Sequence, residues 1–278
     1  VDNMLNCNHF SVIHDYPDAT DCFSGVEIKG GVNYFLYDTQ YVGKCNHCFH
    51  RNGKVTTNVD YLNALGTGIV IRDAFAIKIL QKVIEIEGKD YFTHSFSELV
   101  SPQHFFDKDG LLTTSWKGYS TERTNDYSIK YYLNRTLERC GYAWIKLSDI
   151  PKNRAVIPLH KVFIPKVGGS GSDPYVLGKP FYGEPGSVCS QTYLVIGYEP
   201  SKHSFSKEEC ENIMCYLRTR FFRFMVSIKK RTQDNPSSVF QFVPLQDWSK
   251  PWYDDELYAK YRLSKEEVKY IESMIKPM

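Results

Sequence analysis

Two kinds of hydrophobic spacing run along the 278-residue chain and predict where its strands and helices lie. Short runs rich in β-branched and aromatic residues, bounded by Gly, Pro and polar residues, indicate strands. Apolar positions that recur every three or four residues indicate helices with one buried stripe. The predicted strands cover residues 10–14, 26–29, 32–37, 41–51, 111–116, 129–133, 142–147, 162–167, 193–198 and 239–245.

Helical spacing marks three segments. Residues 72–87 are predicted to form a helix that Gly88 ends. Capping-box patterns that begin at Ser206 and Ser264 open two more helices, a long one over residues 207–230 and a C-terminal one. Because strands and helices follow one another without regular alternation, we expect a mixed α+β fold.

Composition changes this picture in three ways. The net charge of +2 provides no global basic field, so binding to nucleic acid requires a local basic patch. The eight cysteines are irregularly spaced, which favours free thiols and a cytoplasmic protein over a disulfide scaffold. No apolar run reaches the ~18 residues of a membrane span, so no membrane partner is expected.

A long segment rich in Gly, Pro and Ser, residues 168–186, separates the strands predicted at 162–167 and 193–198. Irregular loops of this length inside compact domains usually have a function. Lysines and aromatic residues in and beside it are suited to contact phosphates and bases. An ordinary surface loop remains the alternative.

The densest basic patch lies along the predicted long helix. It consists of Arg218, Arg220, Arg223 and the run Lys229-Lys230-Arg231. Clustered cations neutralise phosphates, and their binding then depends on salt. The last three also complement a helix C-terminus, and the arginines can pair with acids inside the protein, so both interpretations stay open.

Asp18, Glu27 and Lys29 fit a short pattern of metal-dependent nucleases. Asp18 and Glu27 would be oxygen ligands of Mg²⁺, and Lys29 would stabilise the developing negative charge. The alternative is that Glu27 and Lys29 lie on the solvated face of a strand.

Four metal-capable side chains occur within six residues, at Cys45, His47, Cys48 and His50. A structural zinc site needs four ligands, usually as two separated pairs. Cys7 and His9 are candidates for a second pair, but ordinary buried thiols explain the cysteines equally well, and we assign no metal here.

Several collinear stretches carry a resemblance to a known family. They are IHDYPDATDCFSGVEIKGGVNYFLYD, KVFIPKVGGSGSDPYVLGKPFYGEPGSVCSQTYLVIG, ENIMCYLRTRFFRFMVSIKKRTQD and VFQFVPLQDWSKPWYDDELYAKYRLSKEEVKYIESMIKPM. Together they resemble the C-terminal part of N6-adenine DNA methyltransferases of bacterial restriction–modification systems. The likeness is to type II enzymes that join the methylase and target-recognition domains in one chain.

The resemblance implies that residues 1–60 are the last strands of a Rossmann-like methylase sheet and that residues 61–278 are the DNA target-recognition domain. It further implies that this domain is a strand-rich unit supported by the long helix and followed by C-terminal helices. The family's Phe-x-Gly-x-Gly and Pro-Pro-Tyr motifs do not occur in this chain. It should therefore lack methyltransferase activity alone, with S-adenosylmethionine bound by the rest of the parent enzyme. Mg²⁺ is expected only under the nuclease alternative.

The resemblance also implies site residues and partners. Tyr34 and Phe35 match the motif beside the flipped base, where aromatic rings stack. The expected partners are double-stranded DNA and the remainder of the methyltransferase. The residues expected to contact DNA, by position and chemistry, are Lys161, Lys166, Ser170, Lys179, Tyr182, Lys229, Lys230 and Arg231.

Overall fold

The computed structural model describes residues 2–26, 28, 30–51, 53–133, 141–169 and 173–278. Its helices are α1 (Asp2–Asn6), α2 (Ala74–Glu87), α3 (Lys207–Arg218), α4 (Arg220–Lys229), α5 (Asp254–Lys260) and α6 (Lys265–Met274). Its strands are β1 (Phe10–Tyr16), β2 (Val32–Tyr37), β3 (Cys45–Arg51), β4 (Lys54–Asp60), β5 (Tyr127–Tyr132), β6 (Tyr142–Lys146), β7 (Lys161–Pro165), β8 (Phe181–Gly183), β9 (Ser187–Cys189) and β10 (Tyr193–Ile196). The fold is mixed α+β, as the sequence predicts.

The chain forms two compact units. The first contains Val1–Gly88 and Tyr261–Tyr270, and the second contains Lys89–Lys260 and Ile271–Met278. The first segment of the first unit ends at Gly88, and α2, which contacts β4, lies in that unit. The domain bounds that the family resemblance implies stay a prediction. No helix in the described part of the chain combines the length and the apolar character that a bilayer span requires.

The first unit is built on a four-stranded sheet in the order β2-β1-β3-β4. The β1–β2 and β3–β4 pairs are antiparallel, and β1 runs parallel to β3. Gly31 precedes β2 with φ of 79°, and a Cβ there would lie 2.1 Å from the Tyr16 carbonyl oxygen. Gly31 therefore permits a close backbone approach that any side chain would block.

The helix predicted at residues 72–87 is confirmed as α2. The Asp73 carboxylate accepts hydrogen bonds from the amides of Phe75 and Ala76 at 2.7 and 3.1 Å, which caps the N-terminus. Gly88, with φ of 92°, ends the helix. The Tyr270 ring stacks on Phe75 at a centroid distance of 4.4 Å, so the C-terminal segment of the first unit packs on this helix.

The second unit contains two three-stranded sheets, in the orders β10-β7-β8 and β6-β5-β9. One buried cluster joins them, because inward side chains of both sheets pack together. Among its members are Tyr131, Ile145, Phe163, Val188 and Val195.

The predicted long helix is two helices. Ser206 and Glu209 form the predicted capping box at the start of α3. Thr219 then adopts an extended backbone, with ψ of 150°, and its hydroxyl accepts a hydrogen bond from the Phe222 amide at 3.1 Å. Thr219 thereby caps a new helix, α4, in the middle of a continuous apolar pattern.

Two predicted strands are wrong. Residues 111–116 form turns, and Leu112 has φ of 59°, which a strand does not allow. The run at 239–245 is not a strand either. It starts within a 3₁₀ turn, Ser237–Phe240, and continues in turns and irregular structure. The strand predicted at 26–29 lies partly outside the described residues.

Candidate nucleic-acid interface

A cluster of four rings lies on one face of the first sheet. Tyr34 in β2 is paired with His14 in β1, and their rings stack at a centroid distance of 4.8 Å and an interplanar angle of 16°. The Tyr16 and His50 rings stack in the same way at 4.1 Å. His14 Nδ1 and His50 Nε2 share a hydrogen bond of 2.9 Å that joins the two pairs.

Contacts within this cluster shift the pKa values of two of its side chains. The hydrogen bond with Tyr34, together with burial, raises the pKa of Tyr16 to about 12. Burial, followed by the nearby His14, lowers the pKa of His50. His50 is therefore favoured as a neutral ring, which suits stacking.

Tyr34 and Phe35, the predicted base-stacking residues, point to opposite faces of edge strand β2. Tyr34 is 53% exposed and has His14 behind one side of its ring. Phe35 is 48% exposed and meets the Phe10 ring edge to face at 5.0 Å. The two residues therefore cannot stack on the same base from this strand.

The four metal-capable side chains of β3 do not converge. Side chains alternate along a strand, so Cys45 and His47 lie on one face and Cys48 and His50 on the other. Within the described ranges, no group of at least three His, Cys, Asp or Glu side chains is arranged to hold a metal ion.

The nuclease alternative rests on Asp18, Glu27 and Lys29. The Asp18 carboxylate accepts hydrogen bonds from the amide and the hydroxyl of Thr20, at 2.9 and 2.7 Å. These bonds lower the pKa of Asp18 and give it a capping role at a short 3₁₀ turn. Glu27 and Lys29 lie outside the described residues.

Lys161, a predicted DNA contact, is buried and 0% exposed. Its ammonium donates to the carbonyl oxygens of Leu159 at 2.7 Å and of Ile157 and Glu184 at 3.3 Å. Burial lowers the pKa of Lys161 to about 8. The prediction is therefore corrected, because this cation already holds backbone inside the protein and cannot reach a phosphate.

Lys230, also a predicted contact, is 1% exposed and likewise binds protein groups. Its ammonium donates to the Val176 carbonyl at 2.8 Å and to the Asn235 side chain. Arg223 is buried as well, and its guanidinium donates to the carbonyls of Thr219, Arg218 and Tyr175. Part of the basic patch predicted on the long helix is thus internal and supports residues 175–176 of the Gly-rich segment.

The other predicted DNA contacts differ in access. Lys179 is exposed, and Lys166 is half-buried. The half-buried Tyr182 shares a hydrogen bond with His160, and the half-buried Lys229 donates to the Gln241 side chain. Arg231 is exposed, and Ser170 lies outside the described residues.

One side of β5 and β6 combines cations with aromatic rings around the buried Tyr132, and we call its accessible part the ribbon face (Arg123, Tyr127, Lys130, Tyr142, Trp144 and Lys146). Lys130 Nζ lies 4.2 Å from the Tyr142 ring centroid, Arg123 Cζ lies 5.1 Å from that of Trp144, and Lys146 Nζ lies 5.0 Å from that of Tyr127. Each distance is within the range of a cation–π contact. The inward side chains of the same strands, Tyr131, Ala143 and Ile145, are buried in the core.

The cations of the ribbon face differ in whether a carboxylate pairs with them. Lys130 forms an ion pair with Glu184 at 2.6 Å, and the Tyr132 hydroxyl donates to the other carboxylate oxygen. Burial opposes ionisation of Glu184, but these hydrogen bonds prevail and lower its pKa. Arg123 and Lys146 form no ion pair with any described residue. The exposed acids Glu122 and Asp126 lie in the segment before β5.

The sequence contains a signal for this face that the predictions did not use. Strands are predicted at 129–133 and 142–147, and both predictions are close to β5 and β6. Period-2 alternation places Lys130 with Tyr132, and Tyr142 with Trp144 and Lys146, on one side. Arg123, which lies outside the strands, could not have been assigned to it.

No protein-family model matches this chain, and no curated protein matches it significantly.

Proposed function

We propose that this chain binds double-stranded DNA in a sequence-specific manner, as the target-recognition part of an adenine-N6 DNA methyltransferase of a restriction–modification system. The proposal rests on the family resemblance of the sequence. The observation that carries it furthest is the position of the run KGGVNYF, whose aromatic residues occupy an edge strand with about half of their surface exposed.

In this proposal Tyr34 is the residue that stacks on the extruded adenine. Its ring stacks on His14 and is 53% exposed, whereas Phe35 lies on the opposite face of the sheet. A ring held in place by a neighbour loses little further freedom when it binds a base.

Register on the duplex would come from phosphate contacts and specificity from base edges. Exposed Lys179 and Arg231 and the half-buried Lys166 remain candidates from the basic set, whereas Lys161 and Lys230 are withdrawn. S-adenosylmethionine belongs to the rest of the parent enzyme in this proposal.

The proposal is tested by competition between duplexes. A library of random duplexes should yield a preferred site, which competes at least about a thousandfold better than unrelated DNA if it is specific. The chain mixed with S-adenosylmethionine and that site should transfer no methyl group. Equal competition by every duplex would contradict target recognition. Methyl transfer by the chain alone would contradict the proposal that S-adenosylmethionine is bound by the rest of the parent enzyme.

No observation specifically favours the nuclease alternative. Asp18 has a structural role that needs no metal, and its two proposed partners lie outside the described residues. Mg²⁺-dependent cleavage stays an untested prediction of that alternative.

A further inference from the structure

We infer that the ribbon face is a binding surface for the phosphate backbone of double-stranded DNA. The inference rests on the proposed function and names a contact surface that the sequence predictions did not include. It begins from the juxtaposition of three cations and three aromatic rings on one side of β5 and β6.

The cations are held in place before any ligand arrives. Long Lys and Arg side chains ordinarily lose rotamer freedom on binding, which weakens the net affinity. Here each charged head already lies over a ring, and the Tyr142 ring in turn meets the Trp144 ring edge to face at 6.1 Å. A phosphate therefore meets partly ordered donors.

The unpaired cations make this face a site for anions. Arg123 and Lys146 have ordered positions but no carboxylate partner among the described residues, whereas Lys130 is neutralised by Glu184. The expected phosphate contacts are thus Arg123 and Lys146. Lys130 instead fixes the Tyr142 ring and ties β5 to Glu184, which precedes β9.

The same geometry favours duplex over single-stranded DNA. Single strands bind mainly by stacking bases on open aromatic faces. Tyr127, Tyr142 and Trp144 each have a cation over the ring, so the face presents charged groups in place of open rings. A duplex, whose bases are stacked internally, needs only those charges.

The experiment measures duplex binding by fluorescence anisotropy from about 50 to about 200 mM salt, where electrostatic binding changes most. The double variant Arg123→Gln, Lys146→Gln should bind about tenfold more weakly per lost contact at about 100 mM salt, and its log–log salt slope should be shallower by about 1.8. The matched control is Lys89→Gln, Lys276→Gln, which removes the same charge from exposed sites outside the ribbon face. Circular dichroism confirms folding, and Arg123→Lys, Lys146→Arg should restore the slope.

The outcomes separate the two proposals. If the wild type binds the duplex but the ribbon variant matches the charge control, the ribbon face is not the contact surface and the proposed function stands. If the ribbon variant loses binding to single-stranded DNA as strongly as to duplex, the preference for duplex is overturned. If the wild type binds no duplex, both proposals fail.

Discussion

The ammonium of Lys230 lies 2.8 Å from the carbonyl oxygen of Val176, 54 residues away along the chain. The same ammonium donates to the Asn235 side chain, whose amide in turn donates to the Pro165 carbonyl at 3.0 Å. One buried cation therefore connects the end of α4, the Gly-rich segment and the end of β7. A residue that looks like a phosphate contact in the sequence is a structural link in the fold.

Replacing Lys230 should destabilise the protein without affecting DNA binding. Lys230→Met leaves the Val176 carbonyl and the Asn235 side chain without this donor, and each unsatisfied buried acceptor costs about 1–3 kcal/mol. Urea unfolding should show the lower free energy of unfolding. The slope of duplex affinity against salt should match that of the wild type under conditions where the variant is folded.

Lys179→Gln is the matched control, because Lys179 is an exposed cation of the same segment. Its effect on the free energy of unfolding should stay within about 0.5 kcal/mol. A Lys230→Met protein as stable as the wild type would show that the buried hydrogen bonds contribute nothing net.

The stability contributed by Lys161 should depend on pH. Burial lowers the pKa of Lys161 to about 8 from an ordinary value of 10.5. Between these values the unfolded chain binds more protons than the folded chain, so this lysine makes stability rise with pH. Below about pH 8 the lysine is charged in both states, and the cost of burying the charge is fully present.

The measurement compares wild type with Lys161→Met from about pH 7 to about pH 10. As pH rises, the free energy of unfolding of the wild type should increase relative to that of the variant. Burial raises the pKa values of the nearby thiols Cys189 and Cys210, and the charge of Lys161 acts against that shift, so the difference reports Lys161 together with its coupling to these thiols. A difference that is constant with pH would show that the ammonium is not desolvated.

Local signals in the sequence predict much of the fold. Period-3.6 spacing with a cap locates α2, and the capping boxes locate the starts of α3 and α6. The β2 prediction matches the strand residue for residue. These elements are predictable because their caps, turns and buried stripes lie within a few neighbouring residues.

What could not be predicted depends on partners distant in sequence. In the sequence, Thr219 is an ordinary position in a helical pattern. That it begins a second helix depends on tertiary packing. In the sequence, Lys161 and Lys230 look like surface cations. Their burial depends in part on carbonyl groups that only the fold brings near them, those of Glu184 and Val176. The ribbon face likewise combines two strands with a cation from a third segment.

The break between α3 and α4 should depend on the Thr219 hydroxyl. It donates to the Tyr216 carbonyl at 2.7 Å and accepts from the Phe222 amide at 3.1 Å. Thr219→Ala should lower the free energy of unfolding by about 0.5–2 kcal/mol. Thr219→Ser keeps the hydroxyl and should retain most of the stability, and equal losses in both variants would assign the effect to packing.

Asp18 should act as a cap and not as a metal ligand. Asp18→Asn keeps a side-chain oxygen that can accept from the Thr20 amide, so its effect on stability should be smaller than that of Asp18→Ala. Neither wild type nor variant should cleave duplex DNA with Mg²⁺ or Mn²⁺. Cleavage by the wild type that Asp18→Ala abolishes would establish the nuclease alternative in place of the proposed function.

The central claim is that this chain binds duplex DNA by neutralising phosphates. The most direct measurement is the affinity of the unmodified chain for duplex DNA as salt is varied. We expect measurable binding at low salt and a linear fall of log affinity against log salt, with a slope of about −0.9 for each phosphate contact. Absence of binding at low salt, or binding that does not change with salt, would contradict the account.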